Sequence, residues 1–282
     1  MAGSPTARRR RLSIELKKLR ETNDFTCAQV GDALDWSGSK VNRMETGTGR
    51  VQPSDVDALC RFYGTDDELR EFLKSLARQA KTKGWWQAHG SGIPSWFSIY
   101  IGLEQDMSTF RQYQCEFLPG LMQTPAYATE LHRATNQMSA LDIQRAVQVR
   151  MERQTMLTRA DAPDAWFVVH ESTLRNVIGD HGLMREQLER VLESIELASV
   201  TLQVLRFDAG PYPATGSFTL MGFPDAEDPD IVYRDGITDA IYLEGNDDVR
   251  EYTRAFDKLR AAAASPHHSA QLIKTLLKEY AR

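Results

Sequence analysis

A run of short polar and cationic side chains between positions 37 and 43 has the chemistry to bind a polyanion. Arg43 can donate two parallel hydrogen bonds to guanine O6 and N7, and Asn42 can pair in the same way with adenine N6 and N7. Ser37, Lys40 and the free backbone N–H groups at the start of a helix suit phosphate oxygens. Ser39 lies on the same polar side. This segment is therefore a candidate contact to nucleic acid.

The residues around this run predict two short helices joined by a tight turn. Thr26 and Gln29 have the spacing of a capping box, and Asp35 lies in the turn. Ser37 caps the second helix, and Gly47 ends it where a left-handed residue is needed. A helix-turn-helix places its second helix in the DNA major groove. The alternative is an ordinary charged surface on a small helical bundle.

Apolar residues at helical spacing on both sides of this pair predict an all-α domain of about five helices over residues 8–80. Arg8–Arg11 precede the first apolar stripe, and they read either as a flexible arm that grips phosphate or as a solubilising tail. Arg50, in the loop after the second helix of the pair, is expected to meet backbone phosphate.

The charge of the chain is divided unevenly along its length. The 282 residues carry a net charge of −5, which by itself argues against binding to nucleic acid. Residues 8–64 hold eleven Lys/Arg and eight Asp/Glu and so carry +3, which leaves −8 for the remainder. Attraction to phosphate depends on such a local basic patch rather than on the whole-chain sum.

Composition, the lack of a membrane-span or signal-peptide pattern and the cysteine content predict a cytoplasmic protein. Hydrophobic residues make up 41% and charged residues 26%, as in globular domains. No stretch approaches the ~18 consecutive apolar residues of a membrane span, and the N-terminus has no signal-peptide pattern. Cys27, Cys60 and Cys115 have neither a disulfide pattern nor zinc-ligand spacing, so reduced, buried thiols are expected. We predict no metal site and no cofactor.

The second part of the chain predicts a mixed α+β domain over residues 99–282, after a linker or docking segment at residues 81–98 that is rich in Gly, Trp and Pro. Five or six short apolar runs read as strands, the last three in quick succession like a meander, and amphipathic helices lie between and after them. His170-Glu171, at the end of one strand, is the most suggestive catalytic pair. No nucleophile, metalloprotease or phosphate-loop motif accompanies it, so we predict a protein that is not an enzyme and has no catalytic residues.

Residues 10–64 resemble the repressor-type (Xre) helix-turn-helix, and the run WSGSKVNRMETG resembles a subgroup found in actinobacterial regulators. By that resemblance, base contacts fall to Ser39 and Arg43, with Lys40 and Asn42 beside them. Cys27 stands where many members carry a phosphate-binding Gln, and Gly38 replaces a position often used to read bases.

Residues 99–282 resemble the C-terminal domain of unknown function that accompanies this motif, through phrases such as FLPGLMQTPAYA and LQVLRFDAGPY. The resemblance implies WhiJ-like regulators of development or secondary metabolism, which act with small partner proteins encoded nearby. We expect double-stranded DNA as ligand, a homodimer that spans two half-sites, and no membrane. The loop FDAGPYPATG, with Phe207, Tyr212 and Phe218, is the candidate ligand or partner surface. The alternative is an antitoxin-like protein that sequesters a small neighbour and binds DNA only for autoregulation.

Overall fold

A computed structural model divides into two units, residues 1–87 and residues 88–282. It describes residues 4–82, 84–86, 88, 93–135, 138–213, 216–225, 228–237 and 239–280. Within these ranges, no helix combines the length and apolar character that crossing a membrane requires.

The N-terminal unit is helical, as predicted. Its helices are α1 (Pro5–Thr22), α2 (Cys27–Ala33), α3 (Gly38–Glu45), α4 (Pro53–Tyr63) and α5 (Asp67–Gln79). One apolar core holds them together, and its largest fully buried side chains are Leu12, Leu16, Met44, Leu59 and Leu73. Because α2 to α5 have only 7 to 13 residues each, burial of their apolar stripes in this core stabilises them more than their own propensity does.

Arg8–Arg11 belong to α1, so both the flexible-arm and the tail interpretation are wrong. The helix begins before the arginines because the Ser4 hydroxyl accepts a hydrogen bond from the Ala7 N–H at 3.1 Å, which caps the first turn. The Arg11 guanidinium lies 2.8 Å from the Glu15 carboxylate one turn later. The cap, this ion pair and the burial of Leu12 and Leu16 in the core together stabilise a helix that includes four neighbouring cations.

The C-terminal unit is the predicted mixed α+β structure. Its strands are β1 (Thr109–Gln114), β2 (Asp164–His170), β3 (Val200–Leu205), β4 (Phe218–Gly222), β5 (Ile231–Asp235) and β6 (Ala240–Leu243). They form one sheet in the order β3-β2-β1-β4-β5-β6. The pairs β1–β2 and β2–β3 are parallel, whereas β4, β5 and β6 form the predicted antiparallel meander beside β1.

Helices cover both faces of this sheet. They are α6 (Ser95–Glu104), α7 (Pro125–Thr135), α8 (Ala140–Gln154), α9 (Glu171–Arg175), α10 (His181–Ser194), α11 (Asn246–Ala262) and α12 (Pro266–Tyr280). The larger core, around Phe110 and Phe167, lies on one face, and a smaller core around Tyr113 and Phe256 lies under α11 on the other. Helix α6 begins inside the segment 81–98; residues 83, 87 and 89–92 of that segment lie outside the described residues.

Candidate nucleic-acid interface

The pair α2–α3 has the predicted caps and a turn tightened by glycine. The Gln29 N–H donates to the Thr26 hydroxyl at 3.2 Å, and the Thr26 N–H donates to the Gln29 side-chain oxygen at 2.8 Å. Asp35 has the left-handed φ of 55° that reverses the chain. A Cβ on Gly31 would lie 2.8 Å from the Trp36 carbonyl oxygen. The absence of a side chain there lets the turn fold back against α2.

Helix α3 is fastened to α1 from its buried side. Val41 and Met44 lie in the core, and the Ser13 hydroxyl donates to the Met44 carbonyl at 2.7 Å. The Arg20 guanidinium donates to both oxygens of Glu45 at 2.9 Å, and these two side chains are only 13% and 5% exposed. A bidentate pair of this kind fixes orientation as well as distance. Helix α3 is thus held at a defined angle to α1.

The outer face of α3 carries the predicted base-reading residues. Ser39, Asn42 and Arg43 are all exposed. The Ser37 hydroxyl accepts from the Lys40 N–H at 3.1 Å, so it serves as the cap. Within the described ranges, the Arg43 guanidinium has no intramolecular hydrogen-bond or ion-pair partner. Its donors face water and are available to a ligand.

Lys40 already has partners inside the domain. Its Nζ lies 2.8 Å from the Asp55 carboxylate on α4 and 3.6 Å from the centre of the Trp36 ring. Asp55 also accepts from the Gln52 N–H at 3.0 Å, which caps α4. The lysine therefore ties α3 to the start of α4, and the DNA contact predicted for it stays a prediction.

Arg50, in the loop after α3, lines a basic cleft. Gly47 has the expected left-handed φ of 69°, and the Gly49 N–H donates to the Arg43 carbonyl at 2.8 Å, which folds the loop over the end of α3. Arg50 is exposed and lines a cleft of about 430 Å³ together with Arg9 and Lys81. The residues lining this cleft include three cations and no carboxylate, which suits an anionic phosphate.

The two departures from the resembled motif have structural explanations. A Cβ on Gly38 would lie 3.2 Å from the Ala28 Cα, which is closer than most Cβ contacts in proteins, so the first turn of α3 packs closely on α2. The Cys27 thiol is half-buried and lies 3.9 Å from a Glu45 oxygen, and burial raises its pKa. Cys27 is therefore a neutral packing group.

Comparison with known proteins agrees with this geometry. A family model described as a helix-turn-helix domain matches residues 11–73. A second model, for a domain of unknown function named DUF5753, matches residues 97–275, which is more than half of the chain. The protein belongs to the DUF5753 family. Its N-terminal unit is a helix-turn-helix DNA-binding domain. Comparison with curated proteins and with solved structures gave no match.

The DUF5753 domain places two of the three predicted surface residues beside His170. The His170 ring centre lies 5.3 Å from that of Phe207 and 6.0 Å from that of Tyr212. Phe207 is 62% exposed, whereas Phe218 is buried with its ring centre 5.1 Å from that of Tyr252. Residues 214 and 215 of the predicted loop lie outside the described residues. The three aromatic residues thus divide between two environments.

The pair His170-Glu171 is engaged in local structure. The His170 Nδ1 lies 2.7 Å from the Ser172 hydroxyl, and Glu171 accepts from Arg175 at 2.8 Å and from the Phe207 N–H at 3.2 Å. These contacts begin α9 and hold the loop that follows β3.

Sequence reasoning missed the pairs Arg20–Glu45 and Lys40–Asp55. Their members are 25 and 15 positions apart and belong to different helices. A capping signal is local and readable, but a pair between helices depends on their packing. The one sequence signal for the first pair was Glu45, a charged residue at the end of α3, next to the apolar residue Met44. Such a position favours an oppositely charged partner.

Proposed function

We propose that this DUF5753-family protein is a sequence-specific transcription regulator that binds double-stranded DNA as a homodimer and has no enzymatic activity. The observation that carries the proposal is the exposed row Ser39, Asn42 and Arg43 on a helix whose opposite side is held by Arg20 and Glu45. A reading helix must present its donors at a fixed angle, because base discrimination depends on bond geometry.

Each exposed side chain has an expected role. Arg43 reads a guanine through its forked donors, and Asn42 and Ser39 contact neighbouring base edges. Ser37 and Arg50 lie at the start of α3 and beyond its end, where the DNA backbone passes. The dimer follows from the usual docking of this motif on two half-sites about one helical turn apart.

The experiment is fluorescence anisotropy of the full chain on its own upstream DNA, with a scrambled duplex of equal length, at ~150 mM salt where non-specific binding is weak. We expect tight binding to the native duplex only. Arg43→Ala should cost about 1–3 kcal/mol on that duplex and flatten the preference at one base pair.

Arg61→Ala is the matched control, because it removes the same charge from the same domain. Arg61 is exposed on α4 and its Nε lies 2.9 Å from Asp57. Binding in this variant should stay near that of the parent chain. Arg43→Ala with an unchanged preference between duplexes would refute the assignment of the reading helix.

The DUF5753 domain is proposed to receive the signal, from a ligand or a small partner protein. Resemblance to WhiJ-like regulators supports developmental or secondary-metabolite control. The antitoxin-like alternative predicts a different result: co-expression with the small protein encoded next to it would give a complex that survives high salt and relieves a growth defect. No complex under those conditions would exclude the alternative.

A further inference from the structure

A cleft in the C-terminal unit combines positive charge with aromatic rings. It has a volume of about 370 Å³ and lies between the β4–β5 pair and α11. Its walls include Phe218, Arg234, Tyr252, Arg254, Ala255 and Lys258. Clefts that hold small ligands commonly have volumes of roughly 300–1,000 Å³. The size therefore suits a small molecule.

The aromatic wall is preorganised by packing. The Phe218 and Tyr252 ring centres lie 5.1 Å apart in an edge-to-face arrangement, which is a favourable geometry for two rings. Phe218 is also packed in the core under α11. Arg234 Nη1 donates to the Tyr252 hydroxyl at 3.2 Å, so the same tyrosine positions a guanidinium. The rings of Phe218 and Tyr252 and the guanidinium of Arg234 thus lie together in the wall of the cleft.

The cations of this cleft exceed its carboxylates. Arg254 is paired with Glu251 at 2.7 Å, so these two charges compensate each other. Across the part of the chain that the structure describes, Arg234 and Lys258 have no carboxylate partner. Two uncompensated cations therefore line a cleft in a domain from the acidic part of the chain. An anion that enters can form charge-assisted hydrogen bonds with cations of this cleft.

We propose that this cleft binds a small organic anion that carries a flat apolar ring. Arg234 and Lys258 hold the anionic group, and Phe218 and Tyr252 contact the ring. The forked donors of Arg234 suit a carboxylate or phosphate group. Because the hydrogen bond to Tyr252 already restricts the Arg234 side chain, that side chain loses less conformational entropy when the ligand binds. The further idea that this ligand regulates DNA binding rests on the proposed function. Binding of the ligand in the cleft does not depend on that function.

The first test is calorimetric titration of the full chain with 1-naphthoate, which has both the ring and the anion. 1-Naphthamide keeps the ring without the charge, and inorganic phosphate keeps the charge without the ring. We expect saturable binding of one naphthoate per chain. 1-Naphthamide should bind about tenfold or more weakly, since a hydrogen bond to a charged group gives a factor of this size. Inorganic phosphate should bind about tenfold or more weakly as well, since it lacks the apolar ring whose burial favours binding. Absence of saturable naphthoate binding, or equal affinity for all three probes, would overturn the proposal.

Variants locate the site. Arg234→Gln combined with Lys258→Gln should weaken naphthoate binding by about tenfold or more, and Ala255→Leu should block it by filling the cleft. Arg250→Gln is the matched control, because Arg250 is exposed on the same helix, pairs with Asp247 at 2.6 Å and does not line the cleft. Circular dichroism checks folding, and Lys258→Gln alone replaces the double variant if that variant unfolds. Unchanged binding in the cleft variants, or an equal loss in Arg250→Gln, would overturn the assignment.

A separate arm tests the role as a signal. Naphthoate is added to the full chain on its own upstream duplex, and the change in DNA affinity is compared between the parent chain and the cleft variants. A change that only the parent shows supports regulation through the cleft. Naphthoate binding without such a change overturns the signal role while the site stands, and failure of all specific DNA binding contradicts the proposed function instead.

Discussion

Arginine side chains serve opposite purposes in two regions of this protein. On the outer side of the helix-turn-helix, Arg43 and Arg50 are exposed and face water. In the DUF5753 domain, Arg153 on α8 is buried, and its Nε and Nη2 each lie 2.7 Å from an oxygen of Glu104 on α6. The two side chains of that pair are 7% and 2% exposed, and the guanidinium also lies 4.9 Å from the centre of the Phe97 ring.

The difference lies in what replaces water around the charge. A buried guanidinium has lost its hydration, and for Arg153 the Glu104 carboxylate within the fold compensates that loss. An exposed guanidinium keeps its hydration and can exchange it for an external anion at little cost. Burial together with a carboxylate partner therefore distinguishes the arginines that hold the fold together from the exposed, unpaired ones that are available to bind. Arg20, paired with Glu45, is of the first kind in the DNA-binding domain.

The largest expected effect comes from breaking the most buried pair. Glu104→Gln leaves Arg153 buried without a countercharge and should lower the free energy of unfolding by about 3–5 kcal/mol. Calorimetric unfolding of the full chain measures it. Glu130→Gln is the control, because Glu130 pairs with Arg133 at the surface and its loss should cost less than about 1 kcal/mol. Equal effects of the two substitutions would break the comparison.

Loss of the Arg20–Glu45 pair should also lower the free energy of unfolding of the DNA-binding domain. Glu45→Gln leaves Arg20 with a weaker partner and loosens α3 from α1, so unfolding should become easier by about 2–3 kcal/mol. DNA affinity should fall with it, because the reading helix loses its fixed angle. Denaturant unfolding and anisotropy on the native duplex measure the two quantities. Unchanged stability with reduced DNA affinity would place Glu45 among the binding residues instead.

Acid should weaken the DUF5753 domain through His132 on α7. Burial, reinforced by the nearby Arg150, lowers the pKa of His132 to about 4, against about 6.5 in an unfolded chain. The unfolded state therefore binds a proton that the folded state does not, and stability is lost as pH falls from about 6.5 towards 4. Because His132 is partly exposed, we expect a loss of about 1–2 kcal/mol rather than the full linkage value.

Urea unfolding of the full chain at several pH values in this window measures the slope. His132→Gln should flatten it, whereas His268→Gln, at an exposed histidine of α12, should not. An identical slope in the His132 variant would mean that other groups carry the acid sensitivity.

The smallest effect should come from an exposed cation outside the reading helix. Arg50→Ala should weaken all duplexes alike by about 1 kcal/mol and reduce the slope of log K against log salt by about 0.9, as expected for one lost phosphate contact. Its stability should not change. Anisotropy at several salt concentrations on native and scrambled DNA measures this. A loss confined to the native duplex would make Arg50 a base-reading residue.

Local features of the fold were predictable because their causes lie within a few residues. The capping box at Thr26 and Gln29, the cap at Ser37 and the left-handed Gly47 each depend on a contact or a backbone angle inside one turn. The meander at the end of the chain followed from three apolar runs separated by short turns. The arginine run at 8–11 was misread because charge was given more weight than the cap at Ser4.

Pairings between distant elements were not predictable from one sequence. The order β3-β2-β1-β4-β5-β6 depends on which strands find each other, and the apolar runs are too alike to specify it. The ion pair of Lys40 with Asp55 was not predictable either, because Asp55 approaches it only after α4 packs against the rest of the domain. The cleft at Arg234 and Lys258 joins residues of a strand and a helix with no shared sequence signal.

The sequence by itself determined the caps of α2 and α3, the end of α3 at Gly47 and which side of α3 is polar, since periodicity and capping act over a few residues. Tertiary structure decided which charges are compensated. Glu104 and Arg153 are 49 positions apart, yet their atoms lie 2.7 Å apart once α6 and α8 are packed. Compensation of a charge depends on distances that packing sets, and those distances leave Arg43 free to bind while they fix Arg153 in the core.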